Sequence, residues 1–493
     1  MIISCFSEFR LTRKYNFTIM RVGSLLILLI LLSGLSIQAQ DIWSLQKCIQ
    51  HAKQNNLSVK QSEIAIKQAQ LTEAQAKASR WPSLNAGSSY GYSFGRTIDP
   101  VTNDFSTQSI GFNSFSINTG VTLFNGGRIN NTIKQSQADA AAAQATMDFT
   151  ANNLVLSVAS AYLQILLAEE QLDITRRRIT QSQEQLDRTE KLIRAGALAQ
   201  AAVLDIEAQL ARDQQDQVAA RNNVELTYLN LKQLLQLEPD FDLRVEKPEV
   251  LIPADASPDA FVLKPIYIQA LGTQTQIRAA ELRRESAAIG VDIAKASRLP
   301  SLSIGGGVNT NYSTLALRQT GTQIVTNTQE VKVNGVPVEI ETSYEAPIIG
   351  KNPYFNQLGE NLGQNIGLNL QIPIYNNRQV ALAIERANLN ILQQDIALEQ
   401  EKQQLKSDIQ TAIANARAAR QQLEATNKTY DAAKAAFDNA DRRFQLGAIN
   451  AFELTTARNN LNIAETNQVI SRYDYLFKLK IIDFYQGKQI DLE

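Results

Sequence analysis

The chain repeats itself. Ala76-Lys-Ala-Ser-Arg-Trp-Pro-Ser-Leu84 returns as Ala294-Lys-Ala-Ser-Arg-Leu-Pro-Ser-Leu302, an offset of 218. Leu123-Phe-Asn125 returns as Ile374-Tyr-Asn376 and Gly196-Ala-Leu198 as Gly447-Ala-Ile449, both at 251. Three matches in one order frame a duplicated unit, and the two offsets place 33 additional residues inside the second copy. The fold must therefore be built twice from one plan, 40–237 and 265–493, joined by a proline-rich linker at 238–264.

Each unit can be read in the same order. A helical stretch, Leu45 to Arg80 or Pro265 to Arg298, ends before a proline, which disfavours helix in the residue preceding it. Strict alternation follows. Leu84, Ala86, Tyr90 and Tyr92 point one way, with Asn85, Gly87, Ser89 and Gly91 opposite. The returning segment sets Phe115, Ile117 and Val121 against Ser116, Asn118 and Gly120. In the second copy Leu302, Ile304 and Val308, then Ile366, Leu368, Leu370, Ile372 and Ile374, form the apolar sets. Period two with one greasy and one small polar face predicts strand pairs at 83–124 and 301–374, with segments long enough to cross a bilayer when tilted. The extra residues fall in an extracellular loop at 313–363, with a hairpin expected about Asn334-Gly335.

Long helical runs follow at 128–195 and 378–446, free of proline and poor in glycine. At ~1.5 Å per residue such runs reach roughly 100 Å, far beyond what a globular domain needs. Ile165, Leu172, Ile179, Leu186 and Ile193 recur every seven residues, with Ala161, Ala168, Thr175, Ser182 and Thr189 at the companion spacing. Leu423, Tyr430, Phe437 and Phe444 form the second series. A sustained heptad predicts coiled-coil packing. Gly196 and Gly447 break the helices, and shorter ones return at 201–237 and 451–485.

The N-terminus reads as an address. Arg10, Arg13, Lys14 and Arg21 precede an apolar Leu25 to Leu32 run and a polar exit, so residues 1–39 are expected to be a secretory signal with cleavage near Ala39 and Met20 as an alternative start. No Cys stands where a lipid could be attached, and Cys48 has no mature-chain partner for a disulfide.

Composition removes other functions. Lys and Arg number 48 against 49 acids, which leaves no basic field for nucleic acid. One His and two Cys cannot furnish a four-ligand zinc site, and no nucleophile motif or phosphate loop is present; neither catalytic residues, cofactor nor metal are expected. His51 and Cys48 read as structural side chains, and Arg176 to Arg178 with Glu169 and Glu170 as helix surface. Four membrane strands cannot close a barrel, and an open edge in lipid strands backbone groups at several kcal/mol each, so the chain must oligomerise. Sequence pattern does not choose among two, three or four copies. An exported coiled-coil protein without a transport role is the rival reading, but it leaves the duplicated strands unexplained.

The chain resembles the TolC-like outer membrane efflux protein family over its mature length, through the duplicated plan, the X-Pro-Ser-Leu strand starts, Leu123-Phe-Asn-Gly-Gly-Arg128 and the Phe444-X-X-Gly-X-Ile449 turn. The resemblance implies a mainly α fold with β: a homotrimeric 12-stranded outer-membrane barrel, four strands per chain, continuous with a periplasmic α-helical coiled-coil barrel. It implies an exit duct for tripartite efflux or type I secretion, meeting outer-membrane lipid, a periplasmic membrane-fusion adaptor and an inner-membrane transporter of RND, ABC or MFS type. It carries adaptor contact onto Gly196, Ala197, Leu198, Gly447, Ala448 and Ile449. A candidate tunnel gate maps to Glu453, Asp205 and Thr456, with Ile449 where the family's charged gate has a basic partner.

Overall fold

The structure, a computed structural model, describes residues 42–98, 103–196, 199–248, 261–333 and 335–488. The expected signal segment 1–39 and the middle of the linker lie outside them, as do Ala197, Leu198 and Asn334. Helices of matched length carry the duplication: α1 (Leu45–Asn55) and α5 (Leu263–Thr273) have 11 residues each, α2 (Leu57–Ala78) and α6 (Thr275–Ala296) 22. The long α3 (Arg128–Arg194) and α8 (Gln379–Gln445) have 67, and the returning α4 (Ala201–Leu235) and α9 (Ala451–Tyr485) 35.

Each repeat opens with two helices where sequence periodicity reads one. Asn56 and Gln274 take extended backbone at the breaks, with ψ of 133 and 120°. Asn56 Oδ1 accepts from Ser58 N at 2.9 Å, and its amide donates to Leu234 O at 3.0 Å. The side chain thus restarts α2 while tying the break to the end of α4, a tertiary partner that no local pattern announces.

Four strands form one antiparallel sheet in the order β6-β3-β2-β1: Gly363–Gln371, Ser301–Ser313, Ile110–Phe124 and Ser83–Ser93. The repeats meet at β2 and β3, with Ile117 opposite Val308 and Val121 opposite Ile304. The final strand ends at Gln371, so Ile372 and Ile374 leave the expected apolar set; Pro373 follows and has no N–H for the ladder. The 313–363 region is more ordered than a loop. Strands β4 (Leu317–Val333) and β5 (Val336–Lys351) pair along their length, and the short helix α7 (Tyr354–Glu360) folds back beside β3.

Two cores hold the helices in register. In the first repeat Leu45, Cys48 and Ile49 of α1 pack with Val158, Tyr162 and Ile165 of α3 and with Leu231 and Leu235 of α4. Full burial of each large apolar side chain is worth about 1.5–3 kcal/mol. Tyr162 Oη donates to Trp43 O at 3.2 Å and Glu246 O at 2.6 Å, holding the parallel pairing of Ile42–Trp43 with Arg244–Val245 against the helix. The second core sets Ile266, Ala270 and Ile277 against Leu405, Ile409 and Ile413. Along α3 the companion series Ala161, Ala168, Thr175, Ser182 and Thr189 is buried throughout, whereas Ile179 and Ile193 are only half-buried. Small side chains thus form the tight seam, because they let neighbouring helices approach closely.

Candidate functional site

The sheet is a wall with two chemically different faces. Leu84, Ile117, Val308, Ile366 and Leu368 share one face and stay exposed within the single chain. The other face aligns Asn85, Asn118, Gly307 and Asn365 across all four strands. A Cβ at Gly307 would lie 2.6 Å from Asn118 Oδ1 and 3.2 Å from Asn365 Oδ1, so glycine is what lets the amides approach. No Asp, Glu, Lys or Arg occurs in any of the four strands.

Aromatic residues mark the ends of the apolar face. Trp81, Phe124 and Tyr375 stand exposed at the helix side, and Tyr90, Tyr92 and Phe94 at the other. At ~3.3 Å per residue, Trp81 to Tyr92 covers roughly 36 Å of chain, or about 25–30 Å of height at a 35–45° tilt. That matches the apolar band of a membrane barrel flanked by aromatic girdles. The two outer strands, β1 and β6, are each paired on one side only.

The opposite end of the molecule is the pair of helical turns. Gly196 and Gly447 have φ of +74 and +69°, with open space where a Cβ would stand. Gly447 N reaches Phe444 O at 2.9 Å and Ala448 N reaches Arg443 O at 2.8 Å, so the turn closes the last carbonyls of α8 with a left-handed residue. Of the residues carried over for adaptor contact, Gly196, Gly447 and Ala448 are exposed, and Ala197 and Leu198 lie outside the described residues. Ile449 differs: it is buried with Leu186, Ile206, Phe444 and Leu454 and anchors the turn instead of facing outward. Leu446, at 84% exposure, and Phe452 are large apolar residues displayed at the second turn, and Leu204 at the first.

Glu453 and Thr456 line a groove between α8 and α9 of about 830 Å³, together with Phe452 and Lys428. Asn450 Oδ1 accepts from Glu453 N at 2.9 Å, so Glu453 also belongs to the capped first turn of α9, where a carboxylate suits the helix dipole. Thr456 Oγ1 donates to Phe452 O. Asp205 is exposed on α4 and does not join this groove.

Sequence periodicity missed a buried polar network farther up the helices. Asp213 of α4 is 2% exposed, accepting from Ser182 Oγ of α3 and, at 2.9 Å, from Gln209 Nε2. Arg458 of α9 donates to Ser182 Oγ at 3.4 Å; burial pulls its guanidinium below the ordinary value, while Asp213 and Asp441 act to raise it. Arg178 donates to Asn462 O and, at 2.7 Å, to Thr466 Oγ1, and burial lowers it too. The surface reading of Arg178 is therefore corrected: it lies between α3 and α9, whereas Arg176 and Arg177 remain exposed. The network joins the helix pair of the first repeat to that of the second. Arg178 Nε, Gln185 Nε2 and Thr189 Oγ1 in the same stretch of α3 are buried without a hydrogen-bond partner. A partly satisfied seam is costly to keep dry and cheap to open to water. The only sequence signal was a charged residue, Asp213, on a helix face otherwise meant for packing.

The family model for outer membrane efflux proteins matches residues 48–236 and 266–480, one segment in each repeat. The outer membrane protein TolC of Vibrio cholerae is 22% identical over 331 residues, 67% of this chain and 66% of that protein. TolC of Escherichia coli is 22% identical over 216 residues, 43% of this chain and 44% of that one, so these alignments span from under half to just under two thirds of the curated relatives. Among solved structures, the outer membrane protein VceC from Vibrio cholerae superposes with a TM-score of 0.70 at 16% identity, covering 91% of this chain and 97% of VceC. The CmeC outer membrane channel of Campylobacter jejuni gives 0.70 at 16%, covering 91% and 86%.

Proposed function

Because the chain belongs to the outer membrane efflux protein family, we propose that it is the outer-membrane exit duct of a tripartite export assembly. Three copies close twelve strands into a barrel in the outer membrane, and their helices form a tube through the periplasm. The observation that carries this reading is the four-stranded sheet with unpaired β1 and β6 edges and an exposed apolar face. Those edges and that face are unstable alone in lipid, and a ring in which β6 of one copy meets β1 of the next satisfies both.

Conduction is passive: energy comes from an inner-membrane transporter, reached through an adaptor that grips the tip. Gly447, Ala448 and the displayed Leu446 supply the second-repeat half of that contact, and Gly196 the first-repeat turn. The Ser182–Asp213–Arg458 network holds the two helix pairs of each chain together near the tip, and loosening it opens the tube. Glu453 and Thr456 face the groove beside it and add polarity there. The experiment is membrane fractionation with crosslinking. The mature chain should require detergent for release from the outer membrane and crosslink as a trimer; recovery in the soluble periplasm without detergent would overturn the reading.

A further inference from the structure

The hairpin β4–β5 is far longer than its counterpart in the first repeat, where only Thr97–Ile98 pairs with Phe105–Ser106, and among the described residues it makes no extensive contact with another strand or long helix of the chain. It leaves the sheet at the end opposite the helices, beyond the aromatic residues Tyr90 and Tyr92. Its root is fixed. Gln357 of α7, 1% exposed, accepts from Ser313 N at 2.9 Å and donates to Ser313 O at 3.0 Å and Asn352 O at 2.8 Å, and Asn113 Nδ2 donates to Tyr354 Oη at 2.9 Å. The hairpin thus projects in a direction set by the sheet.

Its two faces differ. Val325 stands opposite Tyr344, Gln329 opposite Ile340 and Val331 opposite Val338 on one face. The other carries Glu330 directly opposite Glu339, with Glu341 and Glu345 along the same side, together with Lys332 and the exposed Ile324. Val338, Ile340 and Tyr344 are 43, 42 and 56% exposed, so the apolar face is uncovered within one chain. A two-stranded ribbon alone in water is marginally stable, and a ribbon with one greasy face needs a cover. A further strand is a poor cover at β5, since Pro337 and Pro347 remove two donors from it.

We propose that the cover is the same face of the hairpin in the neighbouring copies, so that the hairpins of the assembly pack together above the pore mouth with their glutamates outward. The proposal rests on the channel reading, which puts the copies side by side. With strands ~4.8 Å apart and tilted ~40°, a twelve-stranded ring is roughly 24 Å across, which sets the roots of three hairpins about 20 Å apart. At ~3.3 Å per residue the hairpin is roughly 50 Å long, more than twice that separation. Identical apolar faces on such roots reach one another. The glutamate face, in turn, keeps the hairpin off an anionic lipid surface.

The test places single cysteines in the full-length protein in intact outer membranes, Val338→Cys on the apolar face and Glu339→Cys on the acidic one, and applies a short bismaleimide. Cys48 is fully buried and silent. The expected result is a covalent pair of chains from Val338→Cys and loss of that product at Glu339→Cys. No product from Val338→Cys, or equal product from both, overturns the proposal. An amine crosslinker on the same membranes separates the two readings. A trimer band without the Val338→Cys product refutes hairpin packing and leaves the channel reading standing, whereas no trimer band removes both.

Discussion

Asp213→Ala tests whether the buried network holds the tip shut. The carboxylate accepts from Ser182 Oγ and Gln209 Nε2, and Arg458 reaches it through Ser182. Removing one partner of a buried charged set leaves the others desolvated and uncompensated, at a cost of about 3–5 kcal/mol. The two largest cores, around Tyr162 and Ile409, lie elsewhere along the helices, so the loss falls on local opening and not on the trimer. At about 1.4 kcal/mol per tenfold, the closed-to-open ratio should fall by roughly two to three and a half orders of magnitude. Single-channel conductance of reconstituted trimers is the assay: wild type should sit in a low-conductance state and Asp213→Ala in a higher one, with unchanged mobility of the trimer on a native gel. Asp213→Asn, which keeps a side chain of the same shape, should lie between. Wild-type conductance in Asp213→Ala, with the trimer intact, would refute the argument that this network carries closure.

Four further expectations concern the turns and the helices. Leu446→Asp should abolish capture of the adaptor in a pull-down without changing thermal stability, because Leu446 is exposed. Ile449→Ala, by contrast, should destabilise the tip by about 2–5 kcal/mol, seen as faster hydrogen exchange near Phe444, because Ile449 is core. Gly126→Ala should lower trimer yield, since φ is +66° and the added Cβ would lie 2.7 Å from Leu299 Cβ and 2.9 Å from Ala296 O. Burial pushes the Cys48 thiol up to about 12, so maleimide should not label it at pH 8 in the folded trimer and should label it after denaturation.

The strand faces were legible because alternation is a property of neighbouring residues: Leu84 against Asn85 and Ile117 against Asn118 need no partner to be read. The helix breaks at Asn56 and Gln274 were not, since Asn56 has no proline or glycine beside it, Gln274 has only Gly272 inside the preceding turn, and Asn56 is held by Leu234 O, 178 residues away. Tip residues were partly legible. The glycine turns stand out by composition, but Ile449 looks like any turn-flanking residue until Leu186 and Ile206 are seen around it.

Sequence by itself determined the duplication, the length of the long helices, the two-faced strands and the family, because each depends on spacing along one chain. Only the tertiary structure decided which strands form the open edges of the sheet, which arginine of Arg176 to Arg178 is drawn between helices, and that the second-repeat insertion is a long two-faced hairpin. Those outcomes depend on what lies opposite a residue across the fold. Burial of a charge or exposure of an apolar face is a property of the pair and not of the residue.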